Sequence, residues 1–262
     1  MQRVQGIVRR INLAGLLFVV LATALTEGAV RLFELQDSLA APSATLRALA
    51  EGISSGSLSG EIGTTLEGYA EGLIIAVAVG VLFGVAIGSS RTLLNASSVV
   101  IEFLRPIPAV ALIPLATLSF GLGIPTRRFV IAYAAAWPIL INTLYGVRGG
   151  DRLLHDVART SGVTRLGRLV RVTVPAALPS IATGIRVSAS IALLVAVTAE
   201  YVSPGTGGIG SYMQRQQNAF HLPEMYAAVV MTGLLGYAIN VVLRAAQRRV
   251  VFWVGEERPA GL

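Results

Sequence analysis

Residues 155–181 read HDVARTSGVTRLGRLVRVTVPAALPSI, and this stretch is the most informative part of the chain for its fold. It carries four arginines and lies between two long apolar runs. Apolar residues recur at helical spacing on both sides of Gly162, where a glycine can end a helix in a left-handed conformation. Thr164 is placed to cap a second helix, and Pro175 and Pro179 are expected to turn the chain into the next apolar run. The pattern predicts a helix–turn–helix elbow.

The composition of the whole chain points to a membrane. Of its 262 residues, 54% are hydrophobic and only 13% are charged, with a mean hydropathy of +0.70. Soluble domains have about 25% charged residues, so we expect an all-α integral membrane protein with about six transmembrane helices. At about 20 residues for each span, the predicted spans are 11–25, 66–88, 99–120, 129–147, 181–202 and 225–243.

The N-terminal part is predicted to differ from the rest of the chain. The run 11–25 is short for a span, so a signal-peptide core is the alternative to a retained span. We favour the retained span, because no soluble domain is evident after this run. Residues 35–65 are rich in serine and glycine, and they predict an exposed loop with one interfacial helix at 46–53. The expected division is a span with an exposed linker over 1–60 and a membrane core over 61–262.

Two of the predicted spans carry signs of close packing or bending. The second span has glycines at every fourth position on one face, Gly80, Gly84 and Gly88, a pattern that permits close helix contact in lipid. The third span contains three prolines, which remove backbone donors and bend helices. Broken helices are tolerated in a membrane only against protein or a water-filled cavity, so we predict that the third span faces the bundle interior.

The distribution of arginine predicts the orientation of the chain. With the N-terminus in the cytoplasm, fourteen arginines fall on the cytoplasmic side and five on the outside, as the positive-inside rule expects. The elbow is then cytoplasmic, and the basic net charge is attributed to topology rather than to nucleic-acid binding. The five outside arginines are Arg31, Arg47, Arg127, Arg128 and Arg215.

Four ionisable residues within or near the spans are candidates for a solute pathway, because charges inside a membrane are costly and tend to be functional. They are Glu102, Arg105, Arg186 and Glu200. Glu102 and Arg105 are spaced to form an ion pair on one helix. Glu200 is expected near the outer interface, where it would face a partner or cap its span.

The residue types that are missing exclude several kinds of site. The chain has no cysteine, and its two histidines are isolated, so no metal site is predicted. It also has no lysine, so it cannot form a P-loop for nucleotide binding. No cofactor is expected in this chain, and if ATP drives its function, another polypeptide would bind the ATP and its Mg²⁺.

The elbow resembles the EAA motif of importer-type ABC transporter permeases. In that motif Glu-Ala-Ala is followed by three residues, a glycine, nine residues and Ile-x-Leu-Pro. Asp156-Val157-Ala158, Gly162 and Val172-Thr173-Val174-Pro175 keep this spacing, with Asp for Glu and valine for the other replaced positions. The likeness extends over the segments 102–123, 174–202 and 208–240. It is similar to the branch that takes up sulfonates, nitrate, taurine and bicarbonate.

The resemblance implies a type I ABC importer permease fold with a cytoplasmic coupling segment over 148–178. It implies a non-catalytic permease, expected as a homodimer in the bacterial plasma membrane, that works with a cytoplasmic ATPase dimer and an extracytoplasmic binding protein. The implied solute is small and anionic. The residues expected to couple to the ATPase are Asp156, Val157, Ala158, Arg159, Gly162, Val172, Val174 and Pro175.

Three alternatives remain open from the sequence. A permease of the same branch could carry a neutral heterocycle such as a thiamine-precursor pyrimidine. A secondary transporter would need no ATPase, and its elbow would lie on anionic lipid, although no internal repeat supports it. A membrane enzyme would need a nucleophile–base pair or a metal site within the spans, and the sequence presents neither.

Overall fold

The computed structural model describes residues 13–34, 38–203 and 207–252, and within these ranges the chain is helical and has no strand. Its helices, numbered in chain order, are α1 (Leu13–Leu32), α2 (Pro42–Ser54), α3 (Ser57–Ser89), α4 (Arg91–Leu104), α5 (Ile113–Phe120), α6 (Ile124–Arg148), α7 (Arg152–Thr160), α8 (Arg165–Arg168), α9 (Val174–Val202), α10 (Ile209–Asn218) and α11 (Leu222–Val250). A 3₁₀ turn (Ala109–Leu112) precedes α5, and a π turn (Leu169–Thr173) joins α8 to α9.

Six membrane crossings fit the described helices. Five stretches are long and apolar enough on their own, namely α1, α3, α6, the continuous stretch 165–202 and α11. The sixth combines α4 with the 3₁₀ turn and α5, which meet at an angle of 83°. The expectation of an all-α membrane protein with about six spans is confirmed. We call the end of the bundle that holds α7 the elbow end and the opposite end the far end.

The centre of the bundle is the contact between α3 and α6, which run parallel. A glycine of α3 meets a side chain of α6 at each turn, and a Cβ on Gly84 would lie 2.6 Å from the Cβ of Thr143. The predicted glycine stripe is therefore confirmed as a packing surface, because only a residue without a Cβ permits this approach. The pairs are Gly80 with Ile139, Gly84 with Thr143, and Gly88 with Val147.

The third central helix, α9, runs antiparallel to α6 on another side of it. Ser188 Oγ donates a hydrogen bond to the Ala135 carbonyl oxygen at 2.7 Å, and both residues are fully buried. Gly184 lets α9 approach the backbone of α6 at Pro138, and α6 continues as one helix through this proline. The span predicted at 129–147 is thus a single helix that is packed on two sides.

Residues 35–37 of the predicted loop at 35–65 lie outside the described residues, and for most of the remaining residues the loop prediction is wrong. Helix α2 occupies Pro42–Ser54, and α3 begins at Ser57, so its first turns project beyond the predicted span. Leu58 is only 1% exposed and packs with Ile209, Tyr212 and other residues of the far end. Serine and glycine suggested a loop, but in membrane helices these small residues allow close packing. The helix predicted at 46–53 lies within α2.

The third span is broken where its prolines predicted, and only one of its two halves lies in the interior: Ile113 and Ala116 of α5 are buried in the bundle core, whereas α4 is not. Helix α4 has no buried residue, and Val99 and Phe103 are 71% and 73% exposed. Two sides of α6 are occupied by α3 and α9, which leaves α4 at the periphery. One hydrogen bond fixes its end, because Tyr133 Oη donates to the Leu104 carbonyl oxygen at 2.6 Å.

Candidate functional site

The turn of the elbow is built around Gly162, as the sequence predicted. Its φ of +75° lies in the left-handed region that favours glycine. The Gly162 N–H donates to the Arg159 carbonyl at 3.1 Å, and the Val163 N–H donates to the Ala158 carbonyl at 3.0 Å. These two bonds form a Schellman motif, which satisfies the last carbonyls of α7.

Side-chain caps define where the two helices of the elbow begin. The Asp151 carboxylate accepts from the Leu153 N–H at 2.9 Å at the start of α7. Thr164 Oγ1 accepts from the Gly167 N–H at 3.1 Å at the start of α8, so the predicted cap is confirmed. Arg168 then donates to the Val163 carbonyl oxygen at 2.8 Å, which closes the turn between the two helices.

The predicted turn at Pro175 and Pro179 does not exist. Helix α8 continues through the π turn into α9, so residues 165–202 form one helical stretch of 38 residues. Pro175 lies in the first turn of α9, where a missing N–H is tolerated, and Pro179 lies inside α9. At 1.5 Å for each residue this stretch is about 57 Å long. It links the elbow directly to the buried face of α9.

The first helix of the elbow presents a mixed surface to its surroundings. Asp156, Val157, Arg159 and Gly162 are exposed, and Val157 is 54% exposed. Within the described part of the chain, the Asp156 carboxylate accepts no hydrogen bond and forms no ion pair. Exposed apolar residues beside an unpaired charge are typical of a surface that contacts a partner. The four other predicted coupling residues, Ala158, Val172, Val174 and Pro175, are half-buried.

A cleft between α4 and α6 brings together two of the four pathway candidates. It has a volume of about 720 Å³, and Glu102, Arg105, Tyr145 and Arg148 contribute its polar lining together with Ser98. Glu102 and Arg105 form no ion pair with each other, although their spacing would allow one. Arg105 follows α4 at the helix break, where a positive charge is favourable beside the terminal carbonyls.

An aromatic row continues from this cleft along α6 toward the far end. Phe129, Tyr133 and Trp137 are four residues apart, and their successive ring centroids are 6.4 and 5.7 Å apart. Phe120 at the end of α5 extends the row, with its ring centroid 5.3 Å from that of Phe129. Helix α6 therefore presents one continuous face to the broken span.

Glu200 lies in a buried network instead of an open pathway. Its side chain and that of Arg127 are 1% and 4% exposed, and Arg127 Nη1 donates to Glu200 Oε1 at 2.9 Å. Thr65 Oγ1 and the Gly210 N–H donate to Oε2 at 2.9 and 3.1 Å. This network joins α3, α6, α9 and α10 at the far end. The sequence did not identify Arg127 and Thr65 as site residues. The one signal was Arg127 itself, because it lies on the side of the membrane where arginines are rare.

The same network fastens α10, a helix that the sequence did not predict. The Ile209 N–H donates to Thr65 Oγ1 at 2.8 Å, and Ser211 Oγ donates to the Glu200 carbonyl oxygen at 3.0 Å. Glu61 on α3 accepts hydrogen bonds from the Gly208 N–H and from Arg215. The described residues 208–215 are thus fixed to the spans rather than free as a loop.

Most of the arginines that the positive-inside rule assigns to the outside form ion pairs. Four of those five form an ion pair with a glutamate at the far end, so their charges are compensated. The pairs are Arg31 with Glu27, Arg127 with Glu200, Arg128 with Glu71, and Arg215 with Glu61.

The fourth pathway candidate, Arg186, lies apart from the other three. It borders a groove between α9 and α11 near the elbow end, whereas Glu102 and Arg105 line the cleft beside α6. The four candidates therefore occupy three separate places: the cleft, the buried network and this groove.

Comparisons with known proteins agree on one family. The sequence profile described as "Binding-protein-dependent transport system inner membrane component" matches residues 76–255. The nitrate import permease protein NrtB of Leptolyngbya laminosa is 31% identical over 191 residues, which are 73% of this chain and 68% of that protein. The bicarbonate transport system permease protein CmpB of Synechococcus elongatus is 33% identical over 187 residues, which are 71% and 67% of the two chains.

A solved structure supports the same fold. A chain of the MetNI methionine ABC transporter, in an inward facing conformation, superimposes with a TM-score of 0.67 at 19% sequence identity. The match covers 74% of this chain and 95% of that one. The fold of about three quarters of this chain is therefore known from a solved transporter structure.

Proposed function

Because this chain belongs to the family of binding-protein-dependent transport system inner membrane components, we propose that it forms the membrane pathway of an ATP-driven importer of a small anion. The observation that carries this proposal is the elbow. Its exposed first helix has an unpaired Asp156, and its second helix continues without interruption into the buried α9. A surface free to dock a partner is thus joined to the core of the bundle.

The elbow suits a mechanical coupling to a separate ATPase dimer. The chain has no lysine for a P-loop, so the ATP and Mg²⁺ that drive transport would bind to that partner. Closure of the ATPase dimer would move α7, and the stretch 165–202 would carry the motion to the far end because it is one helix. Packed helix bundles respond to such a displacement by switching between discrete arrangements.

The cleft beside the broken span is the proposed route for the solute. Arg105 and Arg148 outnumber Glu102 among its charged residues, which favours an anion. Transporters place solute sites where a helix is interrupted at membrane depth, and the 83° bend provides such an interruption. The relatives named for nitrate and bicarbonate fit the same chemistry.

The proposed assembly is a homodimer of this chain with its elbow ends in the cytoplasm. In that orientation the N-terminus is cytoplasmic and the Glu200 network faces the side from which a binding protein delivers the solute. A two-fold dimer needs only one permease sequence. The exposed apolar residues of α4, such as Val99 and Phe103, are available to line its interface.

The test of this proposal uses the chain co-expressed with its cognate ATPase and binding protein and reconstituted in vesicles. We expect anion uptake that requires ATP and the ATPase, and we expect Asp156→Arg to release the ATPase from the complex and abolish that uptake. Glu67→Arg is the matched control, because Glu67 is also exposed and unpaired among the described residues but belongs to α3 near the far end. It should leave the ATPase bound. Uptake that persists without ATP would disprove the proposal.

A further inference from the structure

The groove between α9 and α11 has the features of a small binding site. Its volume is about 170 Å³, and it lies where the first half of α9 passes the last turns of α11. Most of its lining is apolar, including Leu178 and Ile185 on α9 and Leu243 and Val250 on α11. A hydrocarbon chain of a ligand can lie against this apolar lining without breaking hydrogen bonds of the protein.

Two polar side chains border the groove, and both have unused hydrogen-bonding capacity. Arg186 makes no hydrogen bond or ion pair with any described residue, so its five N–H donors are available. Gln247 Oε1 is buried and accepts no hydrogen bond. A ligand for this site would therefore present an anion to Arg186 and a hydroxyl or amine donor to Gln247. A buried polar atom without a partner is costly, and such a ligand would satisfy both residues.

The charge around the groove has one sign. Residues 165–199 and 225–252 contain seven arginines and no aspartate or glutamate. Exposed Arg244 and Arg249 lie on α11 at the same level as the groove. This contrasts with the far end, where glutamates compensate the arginines. The groove therefore complements an anion and repels a cation.

The depth of the groove matches the boundary between hydrocarbon and headgroups. Glu200 lies fourteen residues beyond Arg186 on α9, which corresponds to about 21 Å of helix. With a hydrocarbon core of about 30 Å and Glu200 near one interface, Arg186 lies within about two turns of the other interface. An arginine at that depth can extend its guanidinium to the headgroup level.

We propose that this groove binds an anionic phospholipid from the leaflet at the elbow end, with Arg186 holding the phosphate and Gln247 accepting from a headgroup hydroxyl. One acyl chain lies along the apolar lining between the two helices. Basic pockets between membrane helices bind anionic lipids in this way. Phosphatidylglycerol has the required phosphate, net charge and hydroxyl groups. This lipid site is independent of the proposed solute route, since the cleft beside α6 has a different lining.

Native mass spectrometry of the full chain in a neutral detergent tests the proposal. We expect dioleoyl-phosphatidylglycerol to bind at least tenfold more tightly than phosphatidylcholine with the same acyl chains. Arg186→Gln should abolish this preference, whereas Arg91→Gln should retain it, because Arg91 is exposed at the same end of the bundle outside the groove. Soluble glycerol phosphate at the same concentration should not compete, since it lacks the acyl chain.

Two further variants keep the proposal testable if Arg186→Gln does not fold. Ala182→Leu fills the groove without changing a charge and should weaken phosphatidylglycerol binding about tenfold. Arg186→Lys should keep most of the preference. Equal binding of phosphatidylglycerol to the parent chain and to Ala182→Leu, or equal losses in Arg186→Gln and Arg91→Gln, would overturn the proposal. Lipid binding is measured without transport, so this result does not depend on the proposed importer function.

Discussion

Arg127 and Arg128 are adjacent in the sequence, yet their ion pairs lie in different surroundings. The pair of Arg127 with Glu200 is almost completely buried and accepts hydrogen bonds from two other helices, α3 and α10. The pair of Arg128 with Glu71 has side chains that are 38% and 35% exposed. Burial raises the cost of losing one partner, because the remaining charge cannot return to water.

We therefore expect Glu200→Ala to lower the free energy of unfolding by about 3–5 kcal/mol, because it leaves the Arg127 charge buried without its partner. Glu71→Ala should cost about 0–1 kcal/mol, as expected for an exposed pair. Thermal unfolding of both variants in the same detergent measures the difference. Similar losses in the two variants would contradict the burial argument. The double variant with Arg127→Met and Glu200→Ala should recover part of the loss.

At the scale of helices, the bundle depends on glycines whose surroundings differ along α3. Gly84 lies against α6, where a Cβ would be 2.6 Å from Thr143 Cβ and 2.9 Å from the Leu140 carbonyl oxygen. Gly60 belongs to the same helix but has no atom within 4 Å of the position that a Cβ would take. The two positions separate the packing role of glycine from its intrinsic effect on a helix.

Gly84→Ala should lower the free energy of unfolding by about 1–3 kcal/mol, because the added methyl group forces α3 away from α6. Gly60→Ala should be neutral or stabilise the protein by up to about 1 kcal/mol, since alanine is the better helix former. Chemical denaturation followed by circular dichroism compares the two variants. If Gly84→Ala is as stable as Gly60→Ala, the contact between α3 and α6 is looser than the structure indicates.

At the scale of the whole molecule, charge is divided between the two ends. Exposed arginines of the elbow end, including Arg91, Arg159, Arg165 and Arg171, form no ion pair with described residues. Four arginines of the far end are paired with glutamates. The cleft with Arg105 lies beside the last turns of α6, in the half of the bundle next to the elbow end. An anion that enters from the far end would therefore move toward increasing positive charge.

Arg105→Gln tests this arrangement in reconstituted vesicles with the ATPase and the binding protein. We expect the rate of anion uptake to fall at least tenfold, because the main positive charge at the helix break is lost, while the ATPase remains bound. Arg47→Gln is the control, since Arg47 is exposed on α2 and does not line the cleft. Unchanged uptake in Arg105→Gln would place the solute route elsewhere.

The sequence by itself determined the membrane class, the approximate positions of the spans, the turn at Gly162 and the cap at Thr164. These features depend on hydropathy and on backbone preferences, which are local properties of short segments. The glycine stripe was also readable, because its spacing repeats along one helix.

Only the tertiary structure decided where the polar residues of the spans lie. Thr65, Arg127 and Glu200 are distant in sequence and are joined by contacts between different helices, which no local pattern encodes. The same holds for the helical residues 57–65, whose serines and glycines suggested a loop, and for the continuous helical passage from α8 through the π turn into α9. Whether a small residue or a proline lies in a loop or in a packed helix depends on the surface that it contacts. That surface forms only when the helices pack together.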